Sequence, residues 1–391
     1  MLQDAIGFFT DETHILAGMS VACGTAGCAV TALGGVADAA GTPLAEDSIF
    51  DLASLTKLMT GMLVLRLREE GLLALDAPVT RYAPQFAALG QVTVEQVLGF
   101  QPGLVTPERV DAQQDAAQAR RMLFAIRPVP LGEGRAYSDM HAMVLRYVAE
   151  GAAGEGYMPL LRRHILAPLG MDSTFCRVPD GLRGRCVHYE REHRIERENW
   201  ILREGPAPGV PHDPKARLLN PDGDECPGHA GLFSTRGDMV RFCQGVLRGD
   251  VLPRRVLREM ARNRTGRPLP GGGWTQHLGW QCFVKHPEQY HSEIPVYEGP
   301  EAFGCAGFTG NHLSIDPERG IFALYLGNRV LNRLTVLLPE PGRSLTDYGL
   351  NPDGSGSLRW TDGERVWSSV GYVHQKDAHF HNEVAAVLSA L

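Results

Sequence analysis

Residues Asp51–Leu73 read DLASLTKLMTGMLVLRLREEGLL, and the fold turns on how this stretch is read. Apolar side chains fall at Leu55, Leu58, Met59, Met62, Leu63 and Leu67, the spacing of a helix face, and Gly71 marks the stop. The pattern predicts a buried helix that begins close to Ser54. Within it, Ser54-Leu55-Thr56-Lys57 sets a hydroxyl and an amine one helical turn apart on the same face. Burial and the positive end of the helix dipole both disfavour an ammonium ion there. The expectation is a Lys57 that is neutral often enough to take the Ser54 proton, at a helix end that favours a developing oxyanion. The bland reading of the same residues makes Ser54 an N-cap and sends Lys57 to solvent.

A second element, Tyr137-Ser138-Asp139, follows the turn-like Gly132-Glu133-Gly134 and precedes a helical pattern over His141–Ala149. A tyrosine at such a junction is expected to be aimed rather than buried. Further short helical patterns cover Val92–Leu98 and Asp111–Ala125, so the middle of the chain reads as mainly helical. Met19–Val36 is rich in small and β-branched residues around Gly24, Thr25 and Gly27, which predicts a β-hairpin. His312–Asp316 and Ile321–Gly327, joined by a turn-like PERG, read as two more strands, and His381–Leu391 as a short amphipathic helix.

These elements predict an α/β fold. An antiparallel sheet is formed from N- and C-terminal strands and flanked by helices, with a mainly helical inserted domain. Within one unit, residues of about 1–75 and 300–391 supply the sheet part, and about 76–299 the helical part. Gly181–Pro227 is polar, Pro-rich and irregular, as loops bordering a cleft often are. The stretch Leu331–Asp377 has no place in this scheme. No repeat or low-complexity tract stands out beyond Gly271–Gly273.

Composition narrows the function. With 43% hydrophobic and 21% charged residues the chain is globular, and its net charge of −7 has no basic stretch to meet nucleic acid or an anionic membrane. The partner expected is a small-molecule or peptide-like acyl substrate. The nearest candidate for a membrane helix is broken by Arg66, Arg68, Glu69 and Glu70, and the N-terminus lacks the basic and apolar regions of a signal peptide. A cytoplasmic location is expected, with the eight cysteines reduced and mostly structural. The 14 histidines show neither HExxH nor a tight Cys/His group, so no metal and no cofactor are expected.

SLTK and YSD, with the flanking phrases IFDLASLTK, GRAYSDMHAMVL and GHAGLFSTRGDMVRF, resemble serine β-lactamases of the class C type, related esterases and penicillin-binding D-alanyl-D-alanine peptidases. The resemblance covers most of the chain and implies a β-lactamase/transpeptidase-like fold. It implies a serine hydrolase in which Ser54 is acylated, Lys57 activates it and Tyr137 shuttles protons. Relatives follow with a His-Thr-Gly or Lys-Thr-Gly strand, whereas this chain carries Cys305-Ala306-Gly307 before Phe308-Thr309-Gly310. Gly307 keeps the close backbone approach, and the N–H groups of Ser54 and Phe308 are expected to form the oxyanion hole.

Loss of the two polar side chains removes attraction for a substrate carboxylate. An esterase or amidase acting on neutral acyl compounds is therefore expected rather than a true β-lactamase. Cys305 reads as an inert small hydrophobe, with a reactive cleft thiol as the minority alternative. Asp139, His212, Asp213, His229, Cys305, Ala306 and Gly307 are the substrate-binding candidates, and Trp274, Trp280 and Tyr290 are candidates for an acyl pocket. Two rivals remain open: an acyltransferase on the same scaffold, and a non-catalytic binding or regulatory protein that retains the fold.

Overall fold

The computed structural model describes residues 1–131, 135–264, 277–285, 293–348, 351–352, 357–359 and 365–391, with the backbone alone at 351, 352, 357 and 359. The turn at 132–134, the glycine run at 271–273, Trp274 and Tyr290 lie outside the described residues.

The predicted hairpin is present. Gly18–Thr25 pairs antiparallel with Ala29–Gly35, and on its other side with Ile321–Gly327. Asn311–Asp316, Phe303–Gly307 and Phe283–Val284 complete a six-stranded antiparallel sheet, which thus takes strands from both ends of the chain. Side chains alternate across it, as a strand's period of two requires. Met19, Val21, Cys23, Ala323 and Tyr325 meet the helices Leu2–Gly7 and His381–Leu388 on one face. Ala22, Phe322, Leu324 and Leu326 face the main core on the other.

That core is organised by the helix Leu55–Glu69, in which nearly every position is buried, Thr56, Lys57 and Thr60 included. A helix enclosed on all sides has no solvent face on which to leave a charge. It packs on the helix Asp139–Ala153, but the part expected to be helical, about 76–299, also holds strands: a two-stranded ribbon of Gly103–Val105 with Arg127–Val129, Phe233–Thr235 paired with Ile49–Asp51, Phe283–Val284 of the first sheet, and two strands of a second sheet.

The predicted sheet is accompanied by another. A second six-stranded sheet runs Asn351–Pro352, Ser357–Arg359, Arg365–Ser368, Arg333–Pro339, Glu192–Arg197, Asn199–Arg203, and its centre is parallel. It unites the two stretches that sequence left as irregular or unplaced. Glu192–Arg197 reads EHRIER, with Glu192 and His193 as buried as Ile195, so no apolar alternation announces the strand. The same irregular stretch also holds the helix Pro214–Leu219.

Close packing of the middle helices sets a test. A Cβ at Gly151 would lie 1.7 Å from the Tyr82 carbonyl oxygen, whereas one at Gly7, also helical, would meet nothing within 4 Å. Gly151→Ala is expected to cost about 1–3 kcal/mol and Gly7→Ala to be neutral or mildly stabilising. Urea midpoints of the two variants check this, and equal midpoints would refute the packing.

Candidate active site

The chain reaches Ser54 through a turn held by Asp51. Ala53 has a φ of 47°, a left-handed conformation that costs a residue with a Cβ about 1 kcal/mol or more. Asp51 holds it there, since its Oδ1 accepts the Ala53 amide at 2.9 Å while Oδ2 accepts the His212 amide at 2.7 Å. The Asp51 carbonyl takes the Thr309 hydroxyl and the Asn311 amide group, and its N–H donates to the Tyr189 phenol. One buried residue thereby ties the start of the helix, the His212 loop and the Phe308 turn together. Sequence reading missed it, because nothing local marks an aspartate whose partners lie so far along the chain.

Ser54 is the N-cap residue but makes no capping hydrogen bond, which sets aside the bland reading. Its Oγ instead accepts from Lys57 Nζ at 2.7 Å. Lys57 is fully buried, and Nζ also reaches Asp139 Oδ1 at 2.7 Å and the His229 carbonyl at 3.2 Å. Three acceptors match the three protons of an ammonium group. Burial pulls the Lys57 pKa down, but Asp139, then Tyr137 and Cys305, outweigh it and the net direction is upward. The expectation of a neutral amine is therefore corrected: the sequence showed the burial but not the carboxylate that compensates it.

Tyr137 stands where the loop enters the helix Asp139–Ala153, as expected, and its ring is half-buried. It stacks on Phe283 at 5.2 Å between centroids, leans on Phe100, and has Lys57 Nζ 5.0 Å from its centroid. Burial pushes the phenol up to about 12, against the pull of the Lys57 charge and the Ser54 hydroxyl, so it is protonated at neutral pH.

Behind this trio runs an ion-pair chain. Lys215 Nζ lies 3.0 Å from Asp139 Oδ2 and 3.4 Å from Asp213 Oδ2, and His229 Nε2 lies 2.9 Å from Asp213 Oδ1. Burial opposes ionisation of Asp139 and Asp213, yet Lys57 for the first and His229 for the second, with Lys215 for both, hold them well below the usual range. Asp139, Asp213 and His229 offer ligand atoms within 4.8 Å of one another, but both carboxylates already pair with lysine ammonium groups. Lys215 is a second site residue that sequence reading passed over. A signal existed, for Asp213-Pro214 is an N-cap followed by proline at the first helical position, which aims the next residue along a known helix start.

These groups open onto a cleft of about 530 Å³, lined among others by Ser54, Tyr137, Asp139, Glu192, His212, Asp213, Lys215, Phe283, Ala306, Gly307 and Phe308. Cys305 lies beneath it instead, its thiol 3.2 Å from the Ser54 carbonyl and pushed up to about 12 by burial, which leaves an inert thiol rather than a reactive one. The His229 side chain is likewise buried behind the cleft, and its carbonyl is what meets Lys57. Trp280 is corrected too: it packs in the main core under Arg264 and Arg68, and Phe283 takes the aromatic place expected of it. The amides of Ser54 and Phe308 carry no hydrogen bond among the described residues.

Comparison with known proteins agrees with this architecture. The sequence profile described as Beta-lactamase matches residues 9–336. The chain is 28% identical over 324 residues to esterase EstB of Burkholderia gladioli, covering 75% of this chain and 81% of that one. A putative D-alanyl-D-alanine carboxypeptidase of Escherichia coli strain K12 is 26% identical, over 72% of this chain and 69% of the relative. Among solved structures, EstCE1, described as a hydrolase with promiscuous acyltransferase activity, aligns with a TM-score of 0.67 at 19% identity, over 84% of this chain and 92% of that chain.

The Lys57–Asp139 pair predicts a specific pH dependence. The folded-state pKa of Lys57 lies above its unfolded value, so its contribution to stability is full below about pH 10.4 and lost as pH rises through the folded pKa. That of Asp139 lies below its unfolded value, so its contribution is present above about pH 3.9 and lost as pH falls through the folded pKa. Asp139→Asn strands the Lys57 charge and is expected to cost about 3–5 kcal/mol at neutral pH. The deficit should shrink toward about pH 10 as the stranded amine gives up its proton. Urea unfolding across that range is the measurement, and a deficit that does not change with pH would contradict the pairing.

Proposed function

The chain belongs to the β-lactamase family and is a serine hydrolase of that kind, and from this premise we propose that it cleaves an ester or amide through an acyl-enzyme on Ser54. One observation carries the assignment of Ser54: its hydroxyl opens on the cleft while accepting a hydrogen bond from a buried, ion-paired lysine. Because Lys57 donates to the Ser54 oxygen, the hydroxyl proton points elsewhere, and Tyr137 is the group placed to receive it.

In the acylation step the Ser54 oxygen forms a bond to the substrate carbonyl carbon. Its proton passes to the Tyr137 oxygen as the phenol's own proton moves to the leaving group, and the carbonyl π pair becomes the oxyanion. The free amides of Ser54 and Phe308 are proposed to hold that oxyanion. Collapse expels the protonated leaving group, and water repeats the sequence to free Ser54. Lys57 remains an ammonium throughout, lowering the cost of negative charge on Oγ. The intact network of Ser54, Lys57, Tyr137 and Asp139 argues against a non-catalytic protein, since a binding module has no use for a buried charge aimed at a serine.

The relatives named an esterase and a carboxypeptidase support acyl compounds of small or peptide-like size. An alcohol or amine in place of water would make the enzyme an acyltransferase, a reading supported by the acyltransferase activity ascribed to EstCE1. The proposed compartment is the cytoplasm, because all eight cysteines are free thiols, as a reducing environment keeps them. No helix among the described residues is long and apolar enough to cross a membrane.

Intact-protein mass after incubation with a fluorophosphonate is expected to show one adduct, absent in Ser54→Ala at unchanged folding. An adduct of equal yield on the variant would sink the assignment. Tyr137→Phe is expected to lower kcat by about 10²–10⁴-fold with a much smaller change in KM, read on a short-chain p-nitrophenyl ester. A loss confined to KM would remove Tyr137 from the proton path.

A further inference from the structure

Two free N–H groups stabilise an oxyanion only if the chain holds them at the right spacing. The Ser54 amide follows Ala53, whose left-handed backbone is held by the Asp51 carboxylate. The Phe308 amide belongs to a turn closed by the Gly310 N–H on the Gly307 carbonyl at 2.9 Å. Thr309 of that turn gives its hydroxyl to the Asp51 carbonyl at 2.9 Å, and Asn311 adds its amide group to the same oxygen at 2.8 Å. Asp51 therefore reaches one donor through its side chain and the other through its main chain.

A third connection runs through His212. Its N–H donates to the second Asp51 oxygen at 2.7 Å, and its ring stacks on that of Phe308, 5.7 Å between centroids and 16° between planes. The imidazole is itself anchored. Nε2 lies 3.4 Å from Glu192 Oε2, and the buried Glu192 is fixed in turn by the Thr335 hydroxyl at 2.6 Å and Arg194 at 2.9 Å. Tyr189 touches both ends of the link, since its phenol accepts the Asp51 N–H at 3.1 Å and its ring meets the His212 ring edge-on at 6.3 Å. Although expected to bind substrate, and lining the cleft, His212 turns its ring to Phe308 and Glu192. No lysine or arginine pairs with the Asp51 carboxylate among the described residues, and burial pushes its pKa up. An asparagine would avoid the cost of a buried charge but could not accept both N–H groups, because its second polar atom is a donor. A carboxylate is what two converging amides require.

We propose that Asp51 and His212 are positioning residues that set the spacing of the two oxyanion amides, Asp51 through both chain segments and His212 through the Phe308 ring. The inference rests on the acyl-enzyme reading of the cleft. In this role neither side chain touches the reacting atoms. An amide displaced by about 1 Å loses much of its hold on a charge that develops only in the transition state. Loss of the brace therefore lowers kcat and leaves ground-state binding nearly as it was.

The test is kcat and KM of the full chain on p-nitrophenyl acetate, with the Ki of phenylboronic acid, whose tetrahedral adduct on Ser54 presents an oxygen to both amides. Asp51→Asn is expected to lower kcat by about 10²-fold, to raise that Ki by a similar factor and to change KM by less than about threefold. His212→Ala is expected to lower kcat by about 10-fold, the worth of a stacked aromatic pair. His212→Phe keeps a ring on Phe308 without an imidazole nitrogen and is expected to recover most of the loss. That rescue separates a brace from a proton carrier or a polar substrate contact. Far-ultraviolet circular dichroism checks folding. Should Asp51→Asn not fold, the two His212 variants and Thr309→Val, which removes one tie to the Asp51 carbonyl, carry the test. Ser54-dependent turnover with kcat unchanged in these variants, a loss confined to KM, or a His212→Phe no more active than His212→Ala overturns the brace and leaves the hydrolase reading standing. Absence of any Ser54-dependent turnover or labelling in wild type removes that reading and the brace with it.

Discussion

A lysine ammonium with no access to water needs an acceptor for each of its three protons, and the folded chain meets that demand at Lys57 from three separate places. Ser54 comes from the same helix, Asp139 from the first turn of the next long helix, and the His229 carbonyl from a loop far along the chain. Each acceptor has its own support. The loop comes close because Gly228 has a φ of 88° and a Cβ there would lie 2.9 Å from the Ala142 carbonyl, while its own carbonyl accepts the Thr60 hydroxyl. Asp139 stays ionised chiefly through Lys57 itself, with Lys215 adding to it from the second oxygen. Much of the arrangement around the cleft follows from one buried charge.

The same charge divides the chemical work. An amine with all its protons engaged cannot also collect one from serine, so in the proposed mechanism Lys57 acts through its field and Tyr137 through its proton. The two roles depend on each other, since the Lys57 charge opposes the burial that would otherwise make the phenol harder still to ionise. Phe283 and Phe100 hold the ring in place. A mobile tyrosine would surrender part of the benefit of a positioned proton carrier.

What could be read from the sequence was whatever is written locally. The helix Leu55–Glu69 showed in its apolar spacing, the hairpin in its small and β-branched residues, and the junction at Tyr137 in the switch from loop to helix. The second sheet was invisible, because its central strands pair in parallel across more than a hundred residues and one of them buries Glu192 and His193. The protonation of Lys57 was misread for a related reason: burial can be inferred from a pattern, but the identity of a counter-ion on another helix cannot. Asp51 was missed likewise, since it matters through partners brought near only by the fold. The family resemblance reached the residues that match its motifs, not the charges that surround them here.

The departure at Cys305 and Ala306 has a smaller effect on the cleft than two lost polar side chains would suggest. Neighbouring residues of a strand face opposite ways, and only Ala306 lines the cleft, while Cys305 points beneath it to the Ser54 carbonyl. The main chain of the strand is untouched: Gly307 still approaches closely, with a virtual Cβ 2.8 Å from the Leu52 carbonyl, and the Phe308 amide stays free. What an alanine there gives up is a polar contact on one wall. The wall built by the second sheet and the Lys215 helix is dense in charge. The second sheet therefore gives the cleft a polar wall beside the strand that carries Ala306.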